Sequence, residues 1–319
     1  MPAVPLGARG AVITGWGTAL PSKVLTNQDL EAMVGTSAEW IVVRTGIHER
    51  YVGGTTTELS VASGRNALAK AGVDPASIDA VVLATSTSDR QVPATSPGVA
   101  HQLGLRCGAF DVNAACSGFV YGLTVACGLI AIGMNKVLLI GTDTLSRITD
   151  WTDRNTAVLF ADGSGAVVLE ACEGPGQLLG WHLDADGSAE QFVYAEIGGT
   201  IQMKGQDVFR RGVRLMVNSA QTTLAHAGVT ADQIALVVPN QANLRLIDAA
   251  CDRLNIAPRK RAVVLQSTGN TSAASIPLAL CDAADTGRLR DGDLVLLVGF
   301  GAGMTAASAL LRWGTTGRE

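Results

Sequence analysis

Charge is scarce in this chain: Asp, Glu, Lys and Arg make up 16% of 319 residues, and aromatics only 4%. Against those shortages stand 47% hydrophobic residues and 37 glycines. Such a balance can bury a large core, and it excludes a disordered, collagen-like or coiled-coil chain. No CxxC pair occurs among the six cysteines (Cys107, Cys116, Cys127, Cys172, Cys251, Cys281), several of which lie inside apolar runs. This argues against a disulfide framework and a zinc site, so no metal is expected, and it fits a reducing cytoplasm. Met1 to Gly10 lack an apolar signal core, so export is not expected. There is no positive excess either: the net charge of −4 gives no basis for generic nucleic-acid binding, although a local basic patch stays open.

Mean hydropathy is +0.27, which raises the question of a membrane protein. The longest run without charge, Val112 to Asn135, is long enough to span a bilayer. It contains Asn113, Ser117, Tyr121, Thr124 and four glycines, and its first residues read as a strand. A helix buried on all sides inside a soluble protein accounts for it better.

Apolar β-rich runs alternate with Ala-rich helical stretches. Strands are predicted over Ala11–Gly15, Ala80–Thr85, Gly108–Val112, Lys136–Gly141, Gly165–Glu170, Ala235–Val238, Leu294–Gly299 and Ser308–Trp313. Helices are predicted over Gln28–Val34, Thr57–Ala71, Cys116–Ile132, Val208–Ala227, Asn243–Leu254 and Ser272–Thr286. The alternation implies α/β layering around buried sheets. The halves also resemble each other. Asn135–Gly141 with Gly163–Glu170 closes the first, Asp293–Gly299 with Thr305–Trp313 closes the second, and an Ala-Gly-Val turn recurs at Ala71 and Ala227. These matches imply an internal duplication with a site at the seam. Residues 1–173 and 174–319 are read as two repeats in one compact unit, with the Gly-rich, acidic segment Gly174–Gly199 as the only plausible junction.

Three stretches could carry chemistry. In Asp111-Val-Asn-Ala-Ala-Cys116-Ser-Gly-Phe a strand ends and an apolar helix is expected to begin at or just after Cys116. A thiol at a helix N-terminus sits in the positive end of the dipole, which lowers its pKa and makes thiolate available near neutrality. The competing reading is a buried structural cysteine. In Ser267-Thr-Gly-Asn270-Thr-Ser-Ala-Ala-Ser-Ile-Pro277, Asn270 and Ser272 could simply cap a helix, or the Asn270 amide could donate to a developing oxyanion. Val298-Gly-Phe-Gly-Ala-Gly303-Met leads into a strand, so it fails the dinucleotide fingerprint. Its backbone N–H groups could still form an oxyanion hole near a thiol.

These motifs occur in order with Asn240-Gln-Ala-Asn243-Leu-Arg, Ser37-Ala-Glu-Trp40-Ile-Val-Val-Arg44-Thr-Gly-Ile and Phe160-Ala-Asp-Gly-Ser-Gly-Ala166. Over residues 10 to 313 the chain closely resembles the β-ketoacyl-acyl-carrier-protein synthase III family of the thiolase superfamily. The resemblance implies a duplicated, five-layer α-β-α-β-α fold and a homodimer. It implies transfer of an acyl group from acyl-CoA to a cysteine, then condensation with malonyl-acyl carrier protein (malonyl-ACP), without a cofactor. Cys116 matches the acylated cysteine and Asn270 the asparagine at the malonyl carbonyl. The N–H groups of Cys116 and of Ala302 or Gly303 match the oxyanion hole. Trp40 and Arg154 match contacts to the CoA nucleotide, although Trp40 could be an ordinary core aromatic. Asn243 and Gly205 match the pantetheine tunnel, Val92 matches the loop closing the acyl pocket of the dimer mate, and Arg44 and Phe209 are carried as further substrate-binding positions.

One departure is decisive for function. The family motif begins with a histidine where this chain has Asn240, and none of the four histidines (His48, His101, His182, His226) falls in a family catalytic motif. An amide can donate a hydrogen bond but cannot carry positive charge or shuttle a proton. Condensation is therefore expected to be impaired, and acyl transfer to sulfur less so. Rival readings are a transacylase or thioesterase that has lost condensation, and a non-catalytic partner subunit, against which the retained Cys116 argues. A basic group, Arg210, Arg214, Arg245, Arg253, Arg259 and Lys260, stands out in an acidic chain. It is read as a dock for acyl carrier protein or as a solvated face without a partner.

Overall fold

In the computed structural model, which describes residues 9–314, the chain folds around two large sheets, with two further two-stranded pairs. Most of the N-terminal segment Met1 to Gly10 lies outside the described residues. The chain begins with β1 (Gly10–Ala19), β2 (Lys23–Thr26), α1 (Asn27–Met33), α2 (Ala38–Thr45) and β3 (Glu49–Val52). It continues through α3 (Thr56–Ala71), β4 (Ala80–Ala84), α4 (Ser96–Gln102), β5 (Gly108–Val112) and α5 (Gly118–Ala131). Then come β6 (Lys136–Thr144), α6 (Arg154–Ala157), β7 (Asp162–Cys172), β8 (Leu178–Ala185), β9 (Val193–Tyr194) and β10 (Gln202–Met203). The remainder is α7 (Gly205–Ala227), β11 (Leu236–Pro239), α8 (Leu244–Arg253), α9 (Leu265–Thr268), α10 (Ser275–Asp285), β12 (Leu294–Gly301) and β13 (Thr305–Arg312).

The first sheet has the order β1-β7-β6-β4-β5 and the second β11-β12-β13-β8, and the two-stranded pairs are β2-β3 and β9-β10. Their pairings follow one pattern. β4 runs parallel to β6 as β11 does to β12, and β7 lies antiparallel to β1 and β6 as β13 does to β8 and β12. Where a counterpart of β5 would stand, the second sheet has a single parallel bridge between Val237 and Arg261.

Helices α5 and α10 lie between the sheets and touch both. Phe119, Val120, Leu123, Ala126 and Ile130 on α5, and Ile276, Ala279, Leu280 and Ala283 on α10, are buried in one continuous core. The expectation of a helix buried on all sides holds only in part: this face of α5 is buried between the sheets, while Tyr121, Thr124 and Val125 are half-buried and Gly128 is exposed. Among the described residues, no helix is long and apolar enough to cross a membrane. The outer faces are covered by α3 on the first sheet and α7 on the second. Thr55 and Glu58 form a capping box on α3, and left-handed glycines (Gly72, Gly228) close α3 and α7.

The structure departs from the sequence reading at both central helices. Expected to start at Cys116 and Ser272, they start at Gly118 and Ser275, each behind a 3-10 turn. Within those turns Ala115 (φ 46°) and Ser272 (φ 49°) are left-handed without being glycine. The segment Gly174–Gly199, read as the junction, carries β8 and β9.

Each central strand ends against the opposite turn. A Cβ on Gly141 would lie 2.4 Å from the Ala273 carbonyl oxygen, and one on Gly301 would lie 2.7 Å from the Cys116 nitrogen and 2.9 Å from the Ala114 oxygen. All three contacts are to backbone, which cannot swing aside. Gly301→Ala should therefore cost ~1–3 kcal/mol in urea unfolding and slow chemistry at Cys116. Wild-type stability and rates would refute this tight approach.

Candidate active site

The two turns and the ends of β11 and β12 form the floor of a cavity of about 1220 Å³. Twelve of the sequence-predicted positions line it, grouped by depth. Cys116, Asn240, Asn270, Ala302 and Gly303 form the floor, while Trp40, Arg44, Gly205, Phe209, Arg210, Asn243 and Arg245 form the walls and mouth. The structure does not bring the rest to it. Val92 is 82% exposed and outside the lining, and Arg214, Arg253, Arg259 and Lys260 also lie outside it. Lys260 donates to the Asp232 carbonyl. Arg154 reaches the site indirectly, its guanidinium 5.1 Å from the Trp40 ring centre, with Arg44 at 5.7 Å. Trp40 is half-buried rather than a core residue.

The nucleophile turn is held by the glycine-rich turn of the other half. Thr305 Oγ1 lies 3.0 Å from the Ala114 carbonyl, to which it donates, and 2.7 Å from Ser117 Oγ. That clamp sets the backbone of Ala302 and Gly303 beside Cys116, where acyl-oxygen stabilisation would need N–H groups.

Cys116 corrects the expectation of a lowered thiol pKa. Burial pushes the thiol up to about 11, against a downward pull from the Ser272 hydroxyl and with a further rise from the Asp143 carboxylate. Cys116 sits in the 3-10 turn just ahead of α5, at the positive end of the helix, and burial with the Asp143 carboxylate outweighs that pull. Iodoacetamide labelling of Cys116 should therefore accelerate by about tenfold per pH unit between pH 7 and pH 10. A plateau below pH 8 would contradict this environment.

Asn270 does not cap α10: its Oδ1 accepts from the Ser272 N–H at 3.0 Å, closing a tight turn ahead of the 3-10 turn, which leaves the amide nitrogen as the donor on a residue that lines the cavity. Its backbone is pinned to the other half by Asn270 N–H donating to the Leu159 carbonyl (3.0 Å) and Ala161 N–H to the Asn270 carbonyl (2.9 Å). Asn240, wholly buried, donates through Nδ2 to the Phe300 carbonyl at 3.3 Å and accepts at Oδ1 from Ser275 Oγ at 2.6 Å. Asn243 Nδ2 donates to the Arg44 carbonyl at 3.0 Å, while its Oδ1 caps α8.

Sequence reasoning missed four contributors. Asp143 is a buried carboxylate that accepts from the Ser86 and Ala273 N–H groups at 2.8 and 3.0 Å, and so joins the β4 loop to the Ser272 turn. Ser86 itself lines the cavity, as does Phe300. Gln241 has no vacant position: it donates to Pro239 and Ala262 carbonyls and accepts from Val264 and Leu265 N–H groups. An acid at the end of an apolar strand was the one available signal, for Asp143. No histidine lines the cavity: His48, His101 and His226 are exposed, and His182 meets Ser219 at 3.1 Å. No cluster of His, Cys, Asp or Glu able to hold a metal occurs among the described residues.

Comparison with known proteins places this geometry. Residues 110–187 match the family 3-oxoacyl-[acyl-carrier-protein] synthase III, and residues 224–313 match its C-terminal family. The β-ketoacyl-[acyl-carrier-protein] synthase III of Roseiflexus castenholzii is 48% identical over 96% of this chain and 99% of its own. That of Rhizobium johnstonii is 48% identical over 95% and 99%. The crystal structure of 3-oxoacyl-[acyl-carrier-protein] synthase III from Aquifex aeolicus superposes with a TM-score of 0.93 at 43% identity, covering 95% of this chain and all (100%) of that one. The chain belongs to the 3-oxoacyl-[acyl-carrier-protein] synthase III family, condensing acyltransferases of thiolase-like fold.

Proposed function

We propose that Cys116 takes an acyl group from acyl-CoA and passes it to malonyl-ACP, with the condensation step slowed by Asn240. The observation that carries this reading is the convergence of Cys116, Asn240 and Asn270 with the Ala302–Gly303 backbone on one cavity floor. In the first step Cys116 sulfur bonds to the acyl carbonyl carbon and CoA leaves as its thiol with the cysteine proton. In the second, the malonyl C–C bond to carboxylate breaks, CO2 departs, and the enolate carbon bonds to the acyl carbonyl as the Cys116 thiolate leaves. Enolate charge builds on the thioester oxygen, where the Asn240 and Asn270 amides supply hydrogen bonds. Neither step calls for a cofactor.

Asn240 stands where the family motif has histidine. Complete loss of one oxyanion donor costs on the order of 100- to 1,000-fold. The remaining amide donor should make the loss smaller. Incubation with acyl-CoA and malonyl-ACP labelled with carbon-14 should yield β-ketoacyl-ACP and labelled CO2, and absence of both would overturn the condensation reading. One observation, the lack of an imidazole at the cavity, favours a transacylase or thioesterase as the second reading.

Arg210 and Arg245 are exposed at the mouth, and Arg214 is exposed one turn further along α7. We propose that they steer the acidic carrier protein. Arg210 also pairs with Asp207 at 2.9 Å, an exposed pair worth little by itself. Replacing Arg210, Arg214 and Arg245 with Glu should raise KM for malonyl-ACP about tenfold at low salt, with the effect fading as salt rises. Acylation by a small acyl-CoA should stay near normal, and equal loss with both substrates would point to a damaged tunnel instead. The edge strand β5, with Phe110 37% exposed, supports a homodimer, and the six free cysteines suit a reducing cytoplasm.

A further inference from the structure

We infer that Ser275 is a positioning residue that locks the Asn240 amide with its NH2 group toward Cys116. The inference rests on the condensation reading above and adds what makes an asparagine usable there. The Gln241 backbone N–H, which can only donate, lies 3.2 Å from Ser275 Oγ and takes up a lone pair of that oxygen. The hydroxyl proton is then free for one neighbour, Asn240 Oδ1, 2.6 Å away. At the other end of the same side chain the Phe300 carbonyl, which can only accept, lies 3.3 Å from Nδ2. The Phe300 carbonyl, an obligate acceptor, fixes which end of the amide carries the NH2 group, and the short Ser275 hydroxyl bond holds the other end in place.

A flipped amide would set Oδ1 against the Phe300 oxygen, a mismatch in a wholly buried site, and would give up the short bond from Ser275 Oγ to Oδ1. Of the two Nδ2 hydrogens, one goes to Phe300 and the other remains for the cavity, which Asn240 and Cys116 both line. The floor therefore presents a neutral donor suited to an oxygen that gains negative charge.

The test uses enzyme already acylated on Cys116 and follows CO2 release from malonyl-ACP in a single turnover. Ser275→Ala should slow the maximal rate about tenfold while KM for malonyl-ACP stays within about twofold, since Ser275 does not line the tunnel. In an Asn240→Ala background Ser275→Ala should change nothing further, because the hydroxyl acts only through the amide. An equal loss in both backgrounds, or none in either, would overturn the inference. Asn240→Asp keeps the shape and the acceptor for Ser275 but removes the NH2 group, so it should fall at least as far as Asn240→Ala. Release at the wild-type rate by that variant would also overturn it. If neither wild type nor Asn240→His releases CO2, the condensation reading fails and this inference with it. Release by both with Ser275→Ala unaffected overturns this inference alone.

Discussion

Cys116→Ala should abolish the acyl adduct entirely, the largest effect expected of any single change in this protein. Five other cysteines compete for the assignment, yet Cys172, Cys251 and Cys281 are buried away from the cavity and Cys107 and Cys127 do not line it. Burial pushes the thiols of Cys127 and Cys251 up to about 12 and about 11, with no substrate space beside either. Cys116 shares the raised pKa but has what they lack: Ser272 and Asn240 beside it pull its pKa down, and an open cavity lies in front of it. A high pKa also makes a strong nucleophile once the proton leaves. Intact mass after incubation with short, medium and branched acyl-CoAs should show one acyl group on wild type and none on Cys116→Ala. An adduct on any other cysteine would refute the assignment.

Asn240→His should raise β-ketoacyl product formation at least tenfold, an estimate drawn from the cost of losing an oxyanion donor. Self-acylation should change by less than about twofold, since a distinction between the half-reactions is what kinetics of this kind resolve. An imidazole at this position offers an N–H donor and, unlike an amide, can hold a proton as charge develops. Ser275 and the Phe300 carbonyl hold the present asparagine at both ends. If condensation stays flat and the wild type already condenses well, the amide is a sufficient donor and proton handling at 240 plays no part.

Much of this was legible in the sequence for definite reasons. The apolar runs at Leu83, Leu139 and Leu297 read as strands because parallel, fully buried strands carry uninterrupted hydrophobics. The cavity positions were legible through ordered motifs rather than periodicity. What escaped was of another kind. Strand β8 was hidden because its exposed and half-buried positions break the alternation of a strand, and α4 because it is short and contains Pro97 and Gly98. The 3-10 turns escaped because Ala115, Ser272 and Met304 are left-handed without the glycine that advertises such backbone. All three strained residues lie at or beside the cavity floor, where local preference yields to the geometry of the site. The direction of the Cys116 pKa shift was hidden as well: the dipole is visible in the sequence, but the burial and the Asp143 carboxylate that outweigh it are not.

The most direct test of the account is a chase. Wild-type protein and Asn240→His are each acylated with acyl-CoA, freed of excess, and mixed with malonyl-ACP while intact mass is followed. The account predicts that both carry one acyl group on Cys116 and that both discharge it to β-ketoacyl-ACP, the wild type at least tenfold more slowly. A wild type that never acquires the adduct, or that discharges as fast as Asn240→His, would contradict it.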